Sequence, residues 1–217
     1  MRSSAAIRHT SGDPGRAAAG LLVRELAVHH PYTARHCANV ARLADLLAFE
    51  LNLAAADRVA LQRSALLHDI GKLAVPVELL DGEAPALTDA QQATLRAHSA
   101  EGEARLACRP QLAEHASVVR GVHERWDGSG YPDGLAGEAI PFASRVIAVC
   151  DAFDAMTSPE RRYQSPKTPA QALFCLMENA GSQFDPRVVA RFVSVIEKSP
   201  AAATRPNVAA PATRLAA

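Results

Sequence analysis

From Ala18 to Ile196 the apolar residues of this chain recur at three- and four-residue steps, the spacing of a buried helix face. No strand-like alternation of useful length interrupts them. This restricts the chain to an all-α fold. "TARHCANVARLADLLAFEL" places Val40, Leu43, Leu47 and Leu51 on one face and leaves Arg35, Arg42 and Glu50 to others. "AAADRVALQRSALLHD" repeats the pattern through Val59, Leu66 and Leu67 and stops at Gly71. "LTDAQQATLRAH" opens with Thr88 and Gln91 at capping-box spacing. A shorter helix over "AAGLLVRELAV" ends before Pro31. Further helices are expected over 111–125, 141–157, 168–180 and 186–197, with Pro opening two of them in "KTPAQAL" and "FDPRVV".

The two ends lack this pattern. Residues 1–17 have no periodicity, and 199–217 are rich in Ala and Pro with few large apolar side chains. Such segments bury too little surface to order themselves, so disordered N- and C-terminal tails are expected around one helical bundle domain over 18–198. The chain is 48% hydrophobic, enough for a sizeable core. Lys+Arg and Asp+Glu balance at 23 each, which argues against a nucleic-acid polymer or a membrane surface as partner. With no signal peptide and no long uncharged apolar run, a cytoplasmic protein is expected. Cys37, Cys108, Cys150 and Cys175 form no CxxC pair and read as buried, reduced thiols.

Chemistry concentrates around "ALLHDIGK", where His68 and Asp69 end an apolar helix. His36 lies on the preceding helix, His98 in "RAHSAEG", His123 at the end of another helix, and Asp151 within the apolar "RVIAVCDAFDAM". Mixed imidazole and carboxylate ligands suit first-row divalent metals, with Fe or Mn favoured and Zn an option. Two such ions can share a bridging carboxylate and activate a water between them. Asp69 is the natural bridge, and Lys72, three residues on, reaches the same face to neutralise a phosphate oxygen. His9, His29, His30 and His115 read as surface or satisfied core residues. Asp154 reads as a supporting or helix-surface group.

"YTARHCANVARLADLL", "ALLHDIGKLAVP", "LTDAQQATLRAHSAEG", "HERWDGSGYPDGLAGEAIPFASRVIAVCDAFDAMTS" and "AGSQFDPRVV" follow one another in order. Together they resemble HD-GYP domains, a branch of the HD metal-dependent phosphohydrolases, over residues 20–197. The resemblance implies an HD-type helical bundle with a metal centre, and hydrolysis of cyclic di-GMP to pGpG or GMP, or of a related cyclic dinucleotide. It also implies His36, His68, Asp69 and Asp151 as ligands of one metal, and Asp69, His98 and His123 as ligands of a second. Lys72 would stand near the scissile phosphate as a catalytic group beside Asp69. Gly130, Tyr131 and Pro132 form the GYP triplet, expected on the substrate side. Trp126 and Tyr131 are equal candidates for packing on a base or for anchoring the loop. A diguanylate cyclase domain is an implied partner of such a loop.

The chain departs from the family pattern at three places. Val122 stands where the family usually has the first of two histidines, and valine cannot ligate. His115, about 12 Å away along a helix, is too distant to replace it. Tyr32 stands where members with a third metal carry Glu. "TSPERRYQ" differs from the usual basic segment, leaving Arg161 for the phosphate contact and Gln164 where a basic residue is common. Three readings stay open: a working cyclic dinucleotide phosphodiesterase, a degenerate module that binds a nucleotide or signalling partner, and an HD phosphohydrolase acting on another nucleotide.

Overall fold

The structure is a computed structural model that describes residues 13–82, 87–160, 165–199 and 201. Most of both expected tails, and Arg161 and Gln164, lie outside the described residues. Helix α1 (Pro14–His29) begins ahead of the apolar pattern because Asp13 caps it, accepting from the amides of Gly15 and Arg16, with Pro14 in the first turn. Helix α2 (Pro31–Glu50) follows after His30 alone, since Pro31 cannot continue α1 but suits a helix start. Helix α3 (Ala55–Leu67) ends just before His68. A 3₁₀ turn, Ile70–Ala74, and the one-turn α4 (Val77–Leu80) lead on to α5 (Asp89–Arg96). The capping box at Thr88 and Gln91 is formed as its spacing predicts.

Beyond α5 the local structure is finer-grained than the periodicity suggests. The chain re-forms as α6 (His98–Ala107) after Ala97, so His98 opens a helix and does not close one. The continuous helix expected over 111–125 is instead a 3₁₀ turn (Ala113–His115), a short α7 (Ala116–Arg120) and a second 3₁₀ turn (Gly121–His123). Tight turns let Ala116, Val119 and Val122 all enter the core within a few residues. Then follow α8 (Phe142–Thr157), α9 (Pro169–Glu178) and α10 (Pro186–Lys198), close to the expected spans. No strand occurs among the described residues; Ala180 and Phe184 make one isolated bridge.

Two hydrophobic clusters fill the bundle, and α2 contributes to both. Val40, Leu43, Leu47 and Ala48 pack with Val146, Phe153, Leu176 and Phe192 from α8, α9 and α10. Ala34 and Cys37, earlier on α2, pack with Leu22, Leu26, Ile70, Leu106 and Val119. The small residues Ala34, Ala41, Ala44 and Ala48 on its buried faces allow close approach by neighbouring helices. Cys37 and Cys150 are buried free thiols as expected, but Cys108, at the end of α6, is exposed and Cys175, within α9, is half-buried.

Gly71 sets the distance between the 3₁₀ turn and α6. A Cβ there would lie 1.8 Å from the carbonyl oxygen of His98 and 2.5 Å from the amide nitrogen of Gly102. The two backbones meet so closely that Asp69, two residues before this glycine, comes beside His98.

Candidate metal centre

Five separate elements bring the sequence-selected side chains together, all but the fully buried His68 lining one cavity of about 690 Å³. His36 comes from the first half of α2, His68 and Asp69 from just beyond α3, and His98 from the start of α6. His123 ends the second 3₁₀ turn, and Asp151 lies within α8. Ligand-capable atoms of His36, His68 and Asp69 lie within 4.8 Å of one another. So do those of Asp69, His98 and His123, and Asp69 is common to both groups. Asp151 Oδ1 is 2.8 Å from His36 Nε2 and 3.9 Å from His68 Nε2.

Hydrogen bonds at the far side of three rings decide which nitrogen faces inward. His36 Nδ1 is 2.7 Å from Asp154 Oδ2, His68 Nδ1 is 2.8 Å from the Ala65 carbonyl, and His98 Nδ1 is 2.5 Å from the Leu95 carbonyl. Each acceptor favours a proton on Nδ1, which in His68 and His98 leaves Nε2 with a lone pair, whereas His36 Nε2 also meets the Asp151 carboxylate and would have to give up a proton to bind an ion. His68 Nε2 and Asp69 Oδ1 are buried and have no hydrogen-bond partner. An orphaned pair of this kind is costly in a packed interior unless something fills it. The donor set of imidazoles and carboxylates fits a first-row divalent ion.

Electrostatics follow the same arrangement. Burial opposes a charge on His36, yet hydrogen bonds to Asp151 and Asp154 outweigh it and push its pKa up to about 9. Burial would raise the Asp69 carboxyl, but Lys72, His68 and His98 together hold it well below the usual carboxylate range. Asp151 is likewise held low against its burial, chiefly by His36. Lys72 Nζ donates to Asp69 Oδ2 at 2.6 Å, and that charge raises the lysine's pKa despite burial. His123 is driven the other way, by burial and by His98, down to about 3. The centre therefore carries two ionised carboxylates beside the neutral imidazoles of His68 and His123, a charged His36 and one lysine.

The loop after His123 is organised by its own residues. The buried Glu124 carboxylate accepts from the amides of Asp133 at 2.7 Å and Leu135 at 3.1 Å. Gly130 packs so tightly that a Cβ would sit 2.3 Å from the amide nitrogen of Arg125. Tyr131 lines the main cavity, its ring stacked on His123 with centroids 5.2 Å apart. Its hydroxyl, pushed up to about 12 chiefly by burial, stays protonated. Gly130 lines a smaller cavity of about 260 Å³ behind this stack, while Pro132, joined to Tyr131 by a cis peptide bond, is exposed and lines neither. Trp126 faces the guanidinium groups of Arg145 and Arg187 at 5.8 and 5.7 Å. It is the loop's anchor to α8 and α10 and lines neither cavity.

Other residues fall where sequence alone could not put them. Val122 is 1% exposed and belongs to the hydrophobic cluster of α8. Tyr32 lines the main cavity and stacks on His36 at 6.2 Å. His115 is a core residue bonded to Ser64 Oγ at 2.9 Å, and His29 reaches the Val75 carbonyl. His30 is a buried cavity-wall residue held by Thr33. Asp154 takes the supporting place that was one of its two sequence readings, with His36 as the partner the sequence did not name. The only sequence signal for Asp154 is its place one turn after Asp151 on an apolar helix.

The family model for "HD domain" matches residues 20–188, which include every histidine and aspartate of this cluster. The chain belongs to the HD domain family. Over 170 residues it is 38% identical to "3'3'-cGAMP-specific phosphodiesterase 3" of Vibrio cholerae, covering 78% of this chain and 36% of that protein. Over 176 residues it is 39% identical to "Cyclic di-GMP phosphodiesterase PA4108" of Pseudomonas aeruginosa, covering 81% and 42%. This HD domain chain thus spans less than half the length of either relative. In fold it is similar to the crystal structure of a cyclic GMP-AMP specific phosphodiesterase of V. cholerae, with a TM-score of 0.62 at 19% identity over 82% of this chain and 48% of that one. As an HD domain it belongs to a metal-dependent family, and its histidine–aspartate cluster is the part that could hold the metal.

Proposed function

We propose that this HD domain is a cyclic dinucleotide phosphodiesterase acting on cyclic di-GMP, opening it to pGpG and carrying some of it on to GMP. The observation that carries the reading is Asp69. Its carboxylate belongs to both ligand groups, and one of its buried oxygens has no hydrogen-bond partner. His36, His68, Asp69 and Asp151 would hold one divalent ion, and Asp69, His98 and His123 the other. When bound, the two ions would supply Lewis acidity and lower the pKa of a water molecule.

The chain's own side chains do the rest. Lys72, 25% exposed beside the cavity, keeps its proton and offers a cation to a non-bridging phosphate oxygen. Asp154 keeps the His36 proton on Nδ1. The cavity volume, about 690 Å³, suits a ligand of dinucleotide size. No protein nucleophile is required, because water attacks phosphorus in line with the departing 3′ oxygen. The names of the two relatives support a cyclic dinucleotide substrate, and the substrate in each name contains a guanine nucleotide.

The test is purified protein loaded with Mn or Fe, analysed for metal content and incubated with cyclic di-GMP. We expect about two ions per chain and the appearance of pGpG or GMP, and neither from Asp69→Ala. No turnover with any first-row metal would remove the reading. Val122 favours a second reading, a module that binds the nucleotide or a diguanylate cyclase domain with little catalysis. One ion or none per chain, with nucleotide still bound, would select it. Turnover of a different nucleotide alone would select an HD phosphohydrolase of other specificity.

A further inference from the structure

The four histidines of the centre are not held alike. His36, His68 and His98 are each fixed by an acceptor at Nδ1. His123 has no such acceptor among the described residues, where its ring's one hydrogen-bond contact runs between its Nε2 and that of His98, 2.9 Å apart. A cation shared with His98 needs both of these nitrogens as lone-pair donors, so this contact cannot orient the ring. Val122 beside it is turned into the core and offers no second imidazole. The main cavity and the smaller one behind it both border His123, so packed protein does not enclose the ring from either of these sides.

What lies against the ring is Tyr131. The two planes are 14° from parallel, with centroids 5.2 Å apart. The backbone pins them in register, because the Tyr131 amide donates to the His123 carbonyl at 3.2 Å. Gly130 allows that turn, its backbone lying where no side chain fits. Tyr131 is itself held by Arg96, whose guanidinium carbon is 5.4 Å from the ring centroid. Arg96 sits at the end of α5, two residues before His98, so one short segment supplies both a ligand and the clamp for its partner.

We propose that Tyr131, held by Arg96, is the positioning residue that fixes the His123 imidazole as a metal ligand. The tyrosine of the GYP triplet then acts in this chain through its ring and not through its hydroxyl. This rests on reading Asp69, His98 and His123 as a metal-binding group.

The experiment is a titration of metal-free protein with Mn(II), with unbound ion counted by its electron paramagnetic resonance signal. Wild type, Tyr131→Phe, Tyr131→Leu and Arg96→Met are compared, with a thermal melt for each. We expect two equivalents for wild type and for Tyr131→Phe. Tyr131→Leu should weaken the second equivalent by about tenfold or more, the usual cost of losing a residue that orients a ligand, and leave the first unchanged. Arg96→Met should show a smaller loss at the same equivalent. Because Arg96 is exposed, its variant decides the matter if Tyr131→Leu melts early. The proposal is overturned if Tyr131→Leu melts normally and keeps wild-type affinity, if Tyr131→Phe falls as far as Tyr131→Leu, or if wild type binds one equivalent. Loss of cyclic dinucleotide turnover with this titration pattern intact would remove the functional reading and leave this one standing.

Discussion

Asp154 is 2% exposed, and it faces a histidine 118 residues earlier in the chain. A buried carboxylate needs a partner, and His36 supplies one while receiving a fixed tautomer in return. Asp154→Asn keeps the shape but removes the negative charge and allows the amide to turn either its oxygen or its nitrogen to the ring. We expect metal affinity to fall about 10- to 100-fold in this variant, measured by competition with a chromogenic chelator, with the fold retained. At this scale the sequence was informative about which residue types gather, and much less about which way they point. Histidine and aspartate on or beside apolar helices were recognisable as His36, His68, Asp69, His98, His123 and Asp151. Their pairing with Asp154, Leu95 and Ala65 depends on rotamers and helix rotation that no local pattern encodes. Trp126 and Tyr131 were indistinguishable as aromatic loop residues until the positions of Arg145 and Arg187 on α8 and α10 separated them.

The elements reach the centre by close backbone contacts as much as by apolar burial. Gly71 is the clearest case, because the Cβ of Gly71→Ala would overlap backbone atoms of His98 and Gly102, which cannot rotate away. Separation of the 3₁₀ turn from α6 should cost about 3 kcal/mol or more, visible as a lower urea midpoint, and should also draw Asp69 away from His98. The helices with strong caps, at Thr88, Thr168 and Asp185, were foreseeable because capping chemistry is local. The region 113–123 was not. Its apolar residues satisfy a helical period, but the chain turns more tightly there to seat Val119 and Val122 in different hydrophobic clusters. Gly71 looked like a helix stop, whereas its role is to let two backbones touch.

Across the whole molecule, a histidine away from the centre contributes to pH dependence. His115 is 1% exposed, bonded to Ser64, and surrounded by Glu114 and Arg63. Burial pushes its pKa below the usual value, Glu114 opposes and Arg63 assists. The unfolded chain therefore takes up a proton first as pH falls. The stability that His115 contributes is complete above about 6.5 and is lost as pH drops from there toward its lower folded value. Urea midpoints of the metal-free protein at pH 7.5 and 5.5 should thus differ more for wild type than for His115→Phe, which has nothing to titrate at that position.

The same scale gives a meaning to the placement of α2. This helix is shared by both hydrophobic clusters, and it carries His36 on its first half. An ion held by His36, as proposed, would grip a helix packed into both hydrophobic clusters. Free metal concentration then acts as a control on the stability of the entire domain. At a thousandfold excess over the dissociation constant, that control amounts to about 4 kcal/mol. A cell short of the metal would then hold a less durable protein, so its abundance would fall.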